Sequence, residues 1–157
     1  MKAIPRKILI GLALVFIAIQ FVRPQKNVSA IPAPANDLLV RYNAPSEVRR
    51  ILEKACYDCH SNQTRYPWYA EVQPFGWFLA DHIKEGKRYL NFSEIGALSN
   101  KRQANKIQAI IDEASDRSMP LKSYTLIHPD ALLSSAEIKT LSDWAEPLLE
   151  KLAPDGL

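Results

Sequence analysis

The pentapeptide Cys56-Tyr57-Asp58-Cys59-His60 constrains this chain more than any other stretch. It holds both cysteines of the 157 residues and one of the three histidines. On a helical turn, two cysteines at this spacing can reach both vinyl groups on one porphyrin edge, and the next residue then falls under the iron. Cys-x-x-Cys-His is accordingly the attachment signature of c-type haem, with the His as an axial ligand. Three other uses of two close cysteines compete with this one. A redox pair wants a thioredoxin-like βαβ frame, and the chain shows no strand-rich pattern. Structural zinc wants four ligands, and no second Cys/His pair follows at suitable spacing. A disulfide across two residues closes too short a loop to add much stability.

Charge excludes one broad class of function. The chain carries 20 Lys and Arg against 17 Asp and Glu, a formal balance of +3. Lys2, Arg6, Lys7, Arg23 and Lys26 all precede the first acid, Asp37. Without those five, 15 bases face 17 acids, a balance of −2 from Asp37 onward. Haem propionates would make that part more negative still. No basic face for nucleic acid follows from such a distribution.

The excess of bases instead flanks an apolar run, Ile8 to Val22, in which Gln20 is the one strongly polar member. Residues 1–24 are expected to be a signal anchor, a transmembrane helix with its basic end in the cytoplasm. The run is short of the ~20 apolar residues usual for a span, a shortfall that snorkelling of Lys7 and Arg23 can cover. Signal cleavage after Val28-Ser29-Ala30, leaving a soluble periplasmic protein, is the alternative. Residues 25–42 read as a spacer, with Ile31-Pro32-Ala33-Pro34-Ala35 extended as in polyproline.

The remaining residues, 43–157, read as one helical domain. A first helix should start near Pro45, bury Val48, Ile51, Leu52 and Ala55, and run into Cys56. The loop after His60 places Arg65, Tyr66 and Trp68 as candidate haem-edge contacts, with simple loop packing as the other reading. Pro74 should open a second helix whose face of Phe75, Phe78, Leu79, His82 and Ile83 is apolar apart from the histidine. A third helix follows Ser99 or Asn100, with a stripe of Ala104, Ile107, Ile110, Ile111 and Ala114, and Ser118-Met119-Pro120 ends it. Ser134-x-x-Glu137 fits a capping box for the last helix, which Pro147 is expected to loosen.

Iron held by His60 takes a sixth ligand or stays open. Met119 is the leading candidate, because a thioether raises the reduction potential into the range of electron carriers and the proline after it stiffens its loop. A methionine that merely fills a core gap is the bland reading. His82 is the alternative distal ligand, although a lone His on an apolar stripe is more often a hydrogen-bonded core residue. His128 or an open position completes the set.

At residues 43–146 the chain resembles the bacterial haem-binding domain family, with a class I cytochrome c-like arrangement. The resemblance rests on Ala55-Cys56-Tyr57-Asp58-Cys59-His60-Ser61-Asn62, Tyr66-Pro67-Trp68-Tyr69 and Ala80-Asp81-His82-Ile83-Lys84-Glu85-Gly86. Leu90-Asn91-Phe92-Ser93-Glu94 and Met119-Pro120-Leu121-x-x-Tyr124-x-x-x-His128-Pro129 complete it. Similar domains also occur joined to cytochrome c and di-haem peroxidase modules, which implies respiratory or peroxidase-linked electron transfer.

The expectation is therefore an all-α domain around one covalent haem c, tethered outside the cytoplasmic membrane on the periplasmic side. It would carry single electrons among cytochromes, respiratory complexes or a di-haem peroxidase, without being an enzyme itself. The rivals are a five-coordinate haem peroxidase-like enzyme, a gas or redox sensor, and a haem-tethered structural subunit of a larger oxidoreductase.

Overall fold

A computed structural model describes residues 5–30 and 34–153. Among them there is no β-strand, and the expected all-α class holds. Eight α-helices follow in order: α1 Arg6–Ile19, α2 Leu38–Arg41, α3 Ser46–Ala55, α4 Tyr57–His60, α5 Phe75–Tyr89, α6 Asn100–Ser115, α7 Lys122–Thr125 and α8 Ser135–Leu152. Short 3₁₀ turns at Trp68–Glu71, Phe92–Ala97 and Pro129–Ala131 link them.

The core forms where helical stripes meet. α3 buries Val48, Ile51, Leu52 and Ala55, the four positions that its spacing marks. α6 buries Ala104, Ile107 and Ala114, and α8 packs on both helices with Leu141 and Ala145. Each fully buried Leu or Ile contributes about 1.5–3 kcal/mol, so these stripes dominate the stability of the domain. The start of α8 is fixed as expected. Ser134 Oγ accepts from the Glu137 amide, and the Glu137 side chain accepts from the Ser134 amide. Glu137 also receives Lys54 at 2.8 Å and Arg50 at 2.9 Å from α3. Those partners, Lys54 foremost, hold its carboxyl down at about 2.

Three expectations need correction. α8 does not loosen at Pro147 but continues to Leu152, held by the packing of Trp144, Leu148, Leu149 and Leu152 on the core. The core also starts before residue 43, because Leu38 and Leu39 are buried to 0% and 1% exposure. α2 packs on the Phe92–Ala97 turn, and Asp37 caps it by accepting from the Leu39 amide at 3.0 Å. On α5 the aromatic stripe stays outside: Phe75 and Phe78 are exposed, and the helix buries Gly76 and Ile83.

The stretch expected to be a free spacer is docked. Gln20 and Gln73 exchange two hydrogen bonds, and Trp77 Nε1 donates to Val22 O at 2.7 Å. Arg23 and Lys26 both pair with Glu71. Asn27 donates to Tyr66 Oη, Ser61 O and Thr64 Oγ1, and accepts from Lys87 Nζ and the Thr64 amide. Val28 then bridges to Gln63. Of the polyproline stretch, Ile31-Pro32-Ala33 lies outside the described residues.

No helix among the described residues is long and apolar enough to cross a membrane. α1 has 14 residues, about 21 Å of rise against a hydrocarbon core of ~30 Å. It buries none of its residues, and Ile8, Leu9, Leu12, Leu14, Val15, Phe16 and Ile17 are all at least half exposed.

Candidate functional site

α3 ends at Ala55, and after Cys56 the chain turns into α4, which carries Cys59 and His60. The two residues between the cysteines brace this turn on opposite sides. Tyr57 stacks on Phe92, with ring centroids 4.8 Å apart, and donates its hydroxyl to the buried Asp37 at 2.9 Å. Asp58 faces the other way, where its carboxylate accepts from the Arg65 amide at 3.1 Å and from the Tyr124 hydroxyl at 2.9 Å. α5 crosses against α4 at Gly86. A Cβ there would lie 2.8 Å from Cys59 O, so the close approach requires glycine.

These elements, with α6, the Met119 loop and α8, wall a cavity of about 610 Å³. That is the size range of cofactor pockets. Cys56, Cys59, His60, His82 and Met119 all line it, among apolar side chains such as Leu90, Phe92, Ile110 and Leu141. The sequence thus has its four leading candidates and its alternative ligand on one cavity. His128 is not on the lining; it pairs with the Tyr69 hydroxyl at 2.8 Å and stacks on Tyr124.

The candidate edge contacts lie elsewhere. Arg65 turns to Asp58 and Glu53 O, Tyr66 accepts from the Asn27 amide, and Trp68 is 81% exposed. None of the three lines the cavity. Asp58 holds Arg65 and the docked N-terminal segment holds Tyr66. Lys106 on α6 is the lysine that does line it. The sequence reading missed Lys106, Gly86 and Tyr124 as site residues; Gly86 and Tyr124 carried a signal, as parts of the Ala80-to-Gly86 and Met119-Pro120-Leu121-x-x-Tyr124 patterns, and Lys106 carried none.

Burial sets the protonation of the motif's side chains. Both thiols are free. Burial and the neighbouring thiol push Cys56 up to about 12; burial and the Asp58 charge push Cys59 up to about 11. In this environment both side chains are held as protonated thiols. Among the described residues, no group of three or more His, Cys, Asp or Glu side chains is arranged to hold a metal ion.

His60 is set up as a neutral imidazole, since burial lowers its pKa. Its Nδ1 lies 3.0 Å from Leu90 O, and a carbonyl can only accept, so Nδ1 carries the proton. Nε2 keeps its lone pair, the state a metal-ligating histidine requires. His82 is arranged in the same way, with Nδ1 2.9 Å from Phe78 O and its ring against Phe78.

A cavity of cofactor size, largely apolar, with a tautomer-fixed imidazole and a thioether on its lining, fits a haem by the chemistry of its donors. No curated protein and no solved structure matched the chain. The sequence pattern of the haem-binding domain family matches residues 14–147, from within α1 to Pro147 in α8. The match takes in every element of the cavity, and the chain belongs to the haem-binding domain family.

Proposed function

We propose that this haem-binding domain is a cytochrome c-like electron carrier that holds one haem covalently. Cys56 and Cys59 would each add S–H across a vinyl group, His60 Nε2 would bind iron on one side and Met119 sulfur on the other. The observation that carries the reading is the meeting of these four side chains on one cavity. The haem supplies a one-electron iron couple, and the chain's residues tune and protect it. Leu90 O holds the His60 ring in its ligating tautomer. Leu90, Phe92 and Ile110 exclude water, and Lys106 offers positive charge suited to a haem carboxylate. The partners proposed are other cytochromes, respiratory complexes or a di-haem peroxidase on the exported side.

The purified holoprotein should show low-spin iron that resists carbon monoxide and cyanide on mixing. Immediate, complete ligation of the native iron would instead support the five-coordinate enzyme or sensor.

We also propose that α1 tethers the domain to the cytoplasmic membrane. The support is its exposed apolar surface, with Arg6 and Lys7 at one end and Arg23 beyond the other. Snorkelling of Arg6 and Lys7, with local thinning of the bilayer, would make up its length. The mature protein should sediment with membranes, resist high salt and dissolve in detergent. A mature N-terminus at Ile31 would overturn the tether. Such cleavage would also remove Asn27 and the five hydrogen bonds it makes to the domain.

A further inference from the structure

Asp58 lies inside the attachment motif, and its carboxylate is shared. Oδ1 accepts from the Arg65 amide at 3.1 Å and from Arg65 Nε at 3.2 Å. Oδ2 accepts from the Tyr124 hydroxyl at 2.9 Å and from Arg65 Nη2 at 3.3 Å. Tyr124 belongs to α7, five residues after Met119, and both side chains line the cavity. Backbone hydrogen bonds fix both ends of this stretch. The Met119 amide donates to Glu113 O at 3.1 Å, and the Tyr124 amide donates to Leu121 O at 2.9 Å. The Tyr124 ring is itself held, stacked on His128 with centroids 4.5 Å apart while His128 Nε2 pairs with the Tyr69 hydroxyl.

The phenol is therefore fixed in orientation and anchored to a carboxylate that Arg65 pins from behind. This hydrogen bond ties α4 to the segment after Met119 along the cavity lining that both share. Moving Met119 away from the cavity would draw Tyr124 off Asp58, breaking a hydrogen bond to a charged acceptor and leaving Oδ2 only the longer contact from Arg65 Nη2.

We propose that Tyr124 and Asp58 form a clasp that holds the Met119 segment over the cavity, making Tyr124 a positioning residue for the distal ligand. This rests on the reading of Met119 as that ligand. Asp58 thereby links the two halves of the haem site: it sits one residue before Cys59 and two before His60, and reaches across to the loop that carries Met119.

The test is the equilibrium for cyanide binding to the oxidised full-length holoprotein, because cyanide enters only when the distal ligand leaves. A hydrogen bond to a charged acceptor is strong enough that Tyr124→Phe should raise cyanide affinity roughly 10- to 100-fold. Tyr42→Phe is the control. It removes a phenol bond to Gln103, in the core and off the cavity lining, and should leave cyanide affinity within about twofold. Asp58→Ala should raise the affinity as Tyr124→Phe does, and the double variant should add little beyond either single one.

Additive effects, or no effect of Tyr124→Phe while Met119→Ala opens the iron, would overturn the clasp and leave Met119 in place. An equal rise with Tyr42→Phe would show general loosening and overturn the clasp too. If Met119→Ala itself changes neither spectrum nor cyanide binding, the distal assignment falls and the clasp falls with it.

Discussion

Cys56→Ala combined with Cys59→Ala should abolish retention of haem through denaturing electrophoresis. Each single variant should keep a weakened attachment through the remaining sulfur. The expectation follows from the placement of both thiols on the lining of one cavity, three residues apart across the start of α4. It does not follow from collapse of the fold. Removing a partly buried sulfur costs about 1–2 kcal/mol, and two removals about 2–4 kcal/mol, below the ~5–15 kcal/mol stability of a typical domain. The helical circular dichroism of the double variant should therefore survive while the haem stain on the gel disappears. Haem still bound covalently in the double variant would rule out thioether attachment at these cysteines.

The second large effect belongs to Met119. Met119→Ala should abolish the weak far-red band of sulfur-to-iron ligation, lower the reduction potential, and open the iron. Cyanide affinity should rise on the order of 100-fold or more, since each ~1.4 kcal/mol of lost internal ligation is tenfold. Met119→His should restore low-spin iron at a potential below that of the native protein, because imidazole favours the ferric state more than a thioether does. His82 supplies the decisive comparison, since it lines the same cavity with Nδ1 committed to Phe78 O. His82→Ala should leave the spectrum unchanged. The reverse pattern, with Met119→Ala silent and His82→Ala producing high-spin iron, would assign bis-histidine ligation. Silence of both variants, together with fast cyanide binding by the native protein, would assign an open site.

What was legible in the sequence was what short-range pattern encodes. The α3 and α6 stripes are read from spacing alone, because a 3.6-residue period admits one apolar face. The capping box at Ser134 and Glu137 is equally local. On α5 the period was right, and the expected face is buried only in part. The helix does form over Phe75–Tyr89, but the line through His82, Glu85, Gly86 and Tyr89 borders the cavity, and Phe75 and Phe78 remain exposed. α2 was missed because four residues are too few to show a period. Leu38 and Leu39 are buried by tertiary contact with a 3₁₀ turn more than fifty residues on. At the site, the motif singled out Cys56, Cys59 and His60, and scarcity singled out Met119. The Leu90 carbonyl that fixes His60 could not be read, since a backbone oxygen carries no residue identity. For Arg65, Tyr66 and Trp68 both readings stood open, haem-edge contact and loop packing, because sequence gives the composition of a loop and not its direction.

The docked segment after α1 bears on how such a domain would meet its partners. Eighteen free residues in extended polyproline form would reach about 56 Å, letting a haem sweep a hemisphere above its anchor. Here Gln20 to Val28 is spent along the domain wall instead, tied at Gln73, Glu71, Tyr66 and Gln63. A carrier held so close to its anchor would move as one body with it, and its cavity would keep a fixed height and tilt above the lipid. Encounter would then depend on lateral diffusion, and partners would be sorted by the altitude of their own redox centres. A tall complex and a low one would see different effective concentrations of the same haem.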